Sequence, residues 1–142
     1  MSLTPEQVAF LAGRRVGHLS TADASGRPHV VPVCYAVLGQ RIYIAIDEKP
    51  KRRTPRGLKR VRNITENHHV ALVVDRYEDD WSKLGYVLVS GTAQVIESGE
   101  AHQGAIRELR QRYPQYHGMA LEERPVIAIQ VERSVGWGNL AS

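Results

Sequence analysis

The chain has 142 residues, 42% of them hydrophobic, and a formal net charge of +4. That length suits one domain spanning residues 1–142, with a modest core. A single cysteine, Cys34, excludes an intrachain disulfide and fits a reducing compartment. The opening MSLTPEQVAF lacks a basic-then-apolar signal pattern. No apolar run approaches the ~18 residues a membrane span needs, so a soluble cytoplasmic protein with no membrane partner is the expectation.

The chain starts on a helix signal. Thr4 is placed to cap it, Pro5 to occupy its first turn, Gln7 to close a capping box and Gly13 to stop it. The period then shortens. RVGHLST (15–21) alternates and runs into the turn signal ADASGRP. PHVVPVCYAVL (28–38) and RIYIAID (41–47) follow, and together the three segments read as a meander. Pro32 cannot donate to a ladder, so it marks an edge, a bulge or a ligand-facing break.

A short helix is expected from Gly57 to about Asn67, with Leu58, Val61 and Ile64 on one side and Arg56, Lys59 and Asn63 on the other. HVALVVD (69–75) reads as a buried strand and RYEDDWSK as an acidic loop. LGYVLVSGTAQVIE (84–97) reads as a long strand with a bulge at Gly91. A helix over 99–113, capped by Ser98, should bury Ala105, Ile106, Leu109 and Tyr113. PVIAIQVER (125–133) is the last strand. Six strands joined mostly by short turns, with helices outside them, predict a mostly β (α+β) antiparallel split barrel with peripheral helices.

The residues exclude several chemistries. The six histidines, His18, His29, His68, His69, His102 and His117, lack ligand spacing, so no metal site is expected. There is no G-x-S-x-G, Walker or G-x-G-x-x-G pattern. Cys34 reads as a small core residue and the Asp79–Asp80 pair as a solvated loop. With no catalytic set among the side chains, an enzyme here needs a cofactor to carry the reaction.

One segment stands apart. From Lys49 to Arg62 there are eight Lys or Arg residues in fourteen positions and no acid, while the rest of the chain sums to −4. A loop bearing Lys51 and Arg52 leads into a helix carrying Arg56, Lys59 and Asn63, which suits a phosphate held by cations beside a helix start. A solvated basic face and a nucleic-acid contact are the other readings. The segment contains no aromatic residue to stack on bases.

The succession GHLSTADASGRPHVVPVCY, IYIAIDEKPKR, LKRVRNITENHHVALVVD and DDWSKLGYVLVSGTAQV resembles the pyridoxamine 5′-phosphate oxidase-like (PPOX) FMN-binding split β-barrel proteins. More narrowly, it is similar to the small actinobacterial members grouped as deazaflavin (coenzyme F420)-dependent enzymes. The resemblance runs from about Val16 to Val95 and more weakly to Trp137. It implies a homodimer with flavin or deazaflavin sites at the subunit interface. The second strand would pass the ring with the backbone of Val31, Pro32 and Val33, and Ile46 and Asp47 would border the ribityl chain. Lys51, Lys59 and Arg60 would grip the phosphate, with Asn63 one turn after Lys59. Trp137 would either reach the partner's ring or close the barrel.

The C-terminal substrate-binding Arg and His pattern of the vitamin oxidases proper is missing from GWGNLAS, which speaks against oxidation of that vitamin. The deazaflavin ends in a polyglutamate tail, and Lys49, Arg52, Arg53 and Arg56 exceed what one phosphate needs. The expectation is therefore an F420-dependent oxidoreductase passing a hydride to a small conjugated acceptor. The alternatives are an FMN-dependent reductase of the same fold or a non-enzymatic flavin- or tetrapyrrole-binding protein, with a nucleic-acid binder more distant. The proton donor stays open between Tyr35, His29 and solvent.

Overall fold

The computed structural model describes residues 2–47 and 58–141. Among these the elements run α1 (Pro5–Ala12), β1 (Gly17–Ala22), β2 (Pro28–Val33), β3 (Tyr35–Leu38), β4 (Arg41–Ala45), α2 (Lys59–Glu66), β5 (His69–Arg76), β6 (Gly85–Ile96), α3 (Glu100–Arg112) and β7 (Val126–Gly138). The capping box of α1 forms as its sequence dictates: Thr4 Oγ1 accepts from the Gln7 N–H at 3.1 Å and Gln7 Oε1 from the Thr4 N–H at 3.0 Å. Helix α3 starts after Gly99, whose φ of 100° suits only glycine, rather than after Ser98.

The segment 28–38 is not one strand, and the expected meander does not form. The chain breaks at Cys34. β2 pairs antiparallel with β1, and β3 pairs with β4. The sheet order is β2-β1-β5-β6-β7-β4-β3, so two strands separated by one residue lie at opposite ends of a seven-stranded sheet. That short link forces the sheet to curl until its ends approach, which gives the split barrel with seven strands instead of six. Pro32 is compatible with this because β2 is laddered on one side only.

The join is clamped from outside. Arg112 at the end of α3 donates to the carbonyls of Tyr35 (2.8 Å), Ala12 (2.9 Å) and Arg14 (2.7 Å). Two of those carbonyls lie at or just beyond the end of α1, where a cation is favoured. The Tyr113 hydroxyl meets both the N–H and the carbonyl of Tyr35.

Two cores result. Inside the barrel, Leu19, Ile42, Ile44, Leu72, Val89, Ile127 and Ile129 pack with Phe10 and Leu11 of α1 and Val61 and Ile64 of α2. On the outer face of β3, β4 and the first half of β7, Ala36, Tyr43, Ala45, Val126 and Ala128 are covered by α3 through Ala105, Ile106, Leu109 and Tyr113.

The expected bulge lies at Ser90/Gly91 and leaves Glu132 as the extra residue of β7. It switches which residues of β7 face outward, from Ala128 and Gln130 before it to Arg133, Val135 and Trp137 after it. A Cβ on Gly91 would lie 2.0 Å from the Gln130 carbonyl oxygen, so only glycine fits there.

Candidate cofactor site

Helix α2 begins where the basic segment ends. Its N-cap, Leu58, makes no side-chain cap bond, and its first turn contains no acid. Lys59, Arg60 and Arg62 instead place positive charge at the positive end of the helix dipole, which costs roughly 0.3–1 kcal/mol per charge near an exposed terminus. A bound anion would offset that cost, and this is the observation that a phosphate group fits.

Lys51, Arg52 and Arg56 lie outside the described residues. Lys59 is partly exposed, with its Nζ 3.8 Å from Asp23 Oδ2 in the β1–β2 turn. Asp23 organises that turn by accepting from the Arg27 N–H (2.9 Å), the Ser25 N–H (3.0 Å) and the Ser25 hydroxyl (2.8 Å). The Arg27 bond, then the Ser25 hydroxyl, holds its carboxyl below the usual carboxylate range, and Lys59 contributes less.

The expected face pairing Lys59 with Asn63 is wrong. Asn63 is fully buried, and Arg60 is 5% exposed. The reason is the breadth of the packed arc. α2 sits against both β1 and β6, and its buried positions Arg60, Val61, Asn63 and Ile64 span about 160° of the wheel. Asn63 Nδ2 donates to the Thr21 hydroxyl of β1 at 3.0 Å. From the end of α2, Glu66 Oε1 accepts from the Ala24 N–H at 3.0 Å. Asn63 thus helps fasten the helix to the β1–β2 hairpin, and Lys59 remains as the partly exposed cation of the pair.

Val31 and Val33 face the barrel interior, Val33 being 7% exposed, and Pro32 faces outward on the edge strand. β3 starts at Tyr35 opposite Ile44, so the join after β2 lies close to the end of β4. There Ile46 is 1% exposed. Its carbonyl accepts from Arg124 Nη1 at 3.2 Å, and the Asp47 carboxylate accepts from the Tyr116 hydroxyl. The structure therefore gathers the start of α2 with β1 and brings the join after β2 close to the end of β4, but Trp137 lies at the other end of β7 from the residue that pairs with the end of β4.

Trp137 is 51% exposed and stacks on Tyr86 at 5.6 Å between centroids. It stands on the outer side of β7, where it does not close the barrel. Tyr35 is no proton donor toward a ligand. It is fully buried, with its hydroxyl donating to the Leu11 carbonyl at 2.6 Å, and burial raises its phenol well above the ordinary value.

Sequence reasoning missed Tyr116 and Arg124. Both come from the short 3-10 turns at Pro114–Gly118 and Leu121–Glu123 or their flank, and no local pattern signals their approach to residues 46 and 47. Cys34, read as a core residue, is half-buried against the second core. Among the described residues no group of three His, Cys, Asp or Glu side chains could hold a metal ion. None of their helices is long and apolar enough to cross a membrane.

The chain matches the pyridoxamine 5′-phosphate oxidase family over residues 3–138. It is 32% identical over 100 residues to the 5a,11a-dehydrotetracycline/5a,11a-dehydrooxytetracycline reductase of Streptomyces rimosus, covering 70% of this chain and 68% of that one. Its fold is similar to that of an FAD-binding protein from Mesorhizobium loti (TM-score 0.70, 23% identity, 96% and 95% of the two chains). It is also similar to the heme storage protein HutZ from Vibrio cholerae (TM-score 0.70, 20% identity, 97% and 95%).

Proposed function

The chain belongs to the pyridoxamine 5′-phosphate oxidase family, and on that premise we propose that it is a cytoplasmic oxidoreductase that uses coenzyme F420. Family membership and the Streptomyces reductase support oxidoreductase chemistry. The observation that carries the deazaflavin reading is the cation excess. Eight Lys or Arg residues lie within positions 49–62 with no acid, and the segment ends in a helix whose acid-free first turn adds its own positive end. One phosphate group carries a charge of only about −1.5 to −2, well short of eight cations. A phosphate followed by a polyglutamate tail uses the rest.

When bound, the deazaflavin supplies hydride chemistry at its ring. The chain's part is to bind and orient: Val31–Val33 along the ring, Ile46 and Asp47 beside the polyol, and Lys51, Lys59 and Arg60 at the phosphate. Arg52 and Arg56 extend the charge toward the tail. The relative's substrate points to a conjugated polycyclic acceptor.

The site would be completed by a second copy of the chain. A row of outward apolar residues, Pro32, Val73, Leu88 and Val135, crosses β2, β5, β6 and β7, interrupted by His18 on β1. Val30, at 64% exposed, and Trp137 extend it. Such a face is expected to be covered.

Binding spectroscopy with F420, FMN and heme tests the reading. We expect the tailed deazaflavin to bind most tightly. Tightest binding of FMN would make this an FMN-dependent reductase, and tightest binding of heme would make it a tetrapyrrole-binding protein.

A further inference from the structure

Asp47 is a carboxylate two residues before the first cation of the basic segment. A carboxylate repels a phosphate, so Asp47 suits a neutral hydrogen-bond donor of the same ligand rather than the phosphate itself. Its geometry is not left free. The hydroxyl of Tyr116, a residue 3% exposed, donates to Asp47 Oδ2. Arg124 holds the preceding carbonyl, that of Ile46, at 3.2 Å. The turn carrying Tyr116 is itself pinned to α3, since Arg110 donates to the carbonyls of Tyr116 (3.3 Å) and Met119 (2.6 Å). Burial, then the Asp47 bond, then the Cys34 thiol raise the Tyr116 phenol far above its ordinary value, which keeps it a neutral donor.

A carboxylate has two oxygens and about four acceptor positions. With Oδ2 engaged by a rigid buried donor, the side chain is fixed in one orientation and the capacity of Oδ1 is presented in one direction. Resting on the cofactor reading above, we propose that Tyr116 is a positioning residue of the site. By holding one oxygen of Asp47 it aims the other at a hydroxyl of the polyol chain between ring and phosphate. The helical segment after β6 is then part of the cofactor site, although Tyr116 lies 69 residues from Asp47.

The test uses two probes that share a ring, 5-deazariboflavin with the polyol chain and 5-deazalumiflavin without it, titrated by fluorescence against the full chain. The wild type should prefer the polyol compound. Tyr116→Phe should cut that preference about five- to tenfold, the worth of one hydrogen bond, and leave the dissociation constant of 5-deazalumiflavin unchanged. Asp47→Ala, which alters a partly exposed side chain and tests the idea even if Tyr116→Phe fails to fold, should abolish the preference. In its background Tyr116→Phe should add nothing to the ratio. Equal weakening of both probes by Tyr116→Phe, an unchanged ratio in either variant, or additive losses in the double variant would overturn the proposal without removing the cofactor reading. A wild type that binds neither probe, or binds both equally, would overturn this inference, while loss of the cofactor reading would show separately as a failure to bind F420 itself.

Discussion

The outer face of the sheet has two halves that are made differently. On β3, β4 and the first half of β7, small and aromatic residues meet α3 and form a buried second core. On β2, β1, β5, β6 and the last half of β7, residues of similar character face outward, and none of the described elements lies over them. Val30 is 64% exposed, Val135 45% and Trp137 51%. The Gly91 bulge divides the two by reversing the facing of β7. Apolar surface of the first kind stabilises the fold, and apolar surface of the second kind is available to a partner.

The sharpest way to break this contrast is in the covered half. Leu109→Ala removes a fully buried side chain from the second core and should cost about 2–5 kcal/mol, measured by urea unfolding with an unchanged m-value. A loss under about 1 kcal/mol would mean that α3 is not essential cover.

On the bare half, Val135→Arg should leave the folding of the single chain within ~0.5 kcal/mol, as for an exposed site, yet prevent assembly. Sedimentation should give a dimer for the wild type and a monomer for the variant at micromolar concentration. A monomeric wild type would contradict the two-subunit site.

The smallest effect is electrostatic and belongs to the covered half. Arg110 grips Glu122 with both terminal nitrogens, one contact being 2.8 Å. The Arg110 bond lowers the Glu122 carboxyl from 4.5 to about 2. Because the folded value is depressed, this contribution is present above pH 4.5 and is lost as the pH falls through about 2. Glu122→Gln should therefore flatten the stability profile slightly between those values. The pair is solvent-exposed, so the change should be near the limit of detection and should vanish at high salt. A steep loss near neutral pH in the wild type would need another group.

The sequence made the covered half readable and the site only partly so. The α3 stripe, the α1 capping box and the Gly91 bulge are local patterns, and each forms. The break at Cys34 was hidden because PHVVPVCYAVL is continuously strand-like, and strand propensity does not state which neighbour a strand pairs with. Asn63 was misplaced because an eight-residue helix wedged between two strands buries a wider arc than its apolar residues mark out. Tyr116 is illegible because its bond to Asp47 depends on how α3 and the turn after it pack on β3 and β4, a contact 69 residues apart in sequence. Lys51, Arg52 and Arg56 lie outside the described residues, and the tail-binding role proposed for this segment rests on its charge.

The measurement closest to the central claim titrates the wild type and an Arg52→Ala/Arg53→Ala double variant with F420 and FMN at low and high salt. If the basic segment holds a polyglutamate tail, the wild type binds F420 more tightly. The double variant then loses more affinity for F420 than for FMN, the difference grows with tail length, and it shrinks as salt screens exposed charge beyond ~8–10 Å. Equal losses for both ligands, or tighter binding of FMN by the wild type, would contradict the account and leave an FMN protein with a solvated basic loop.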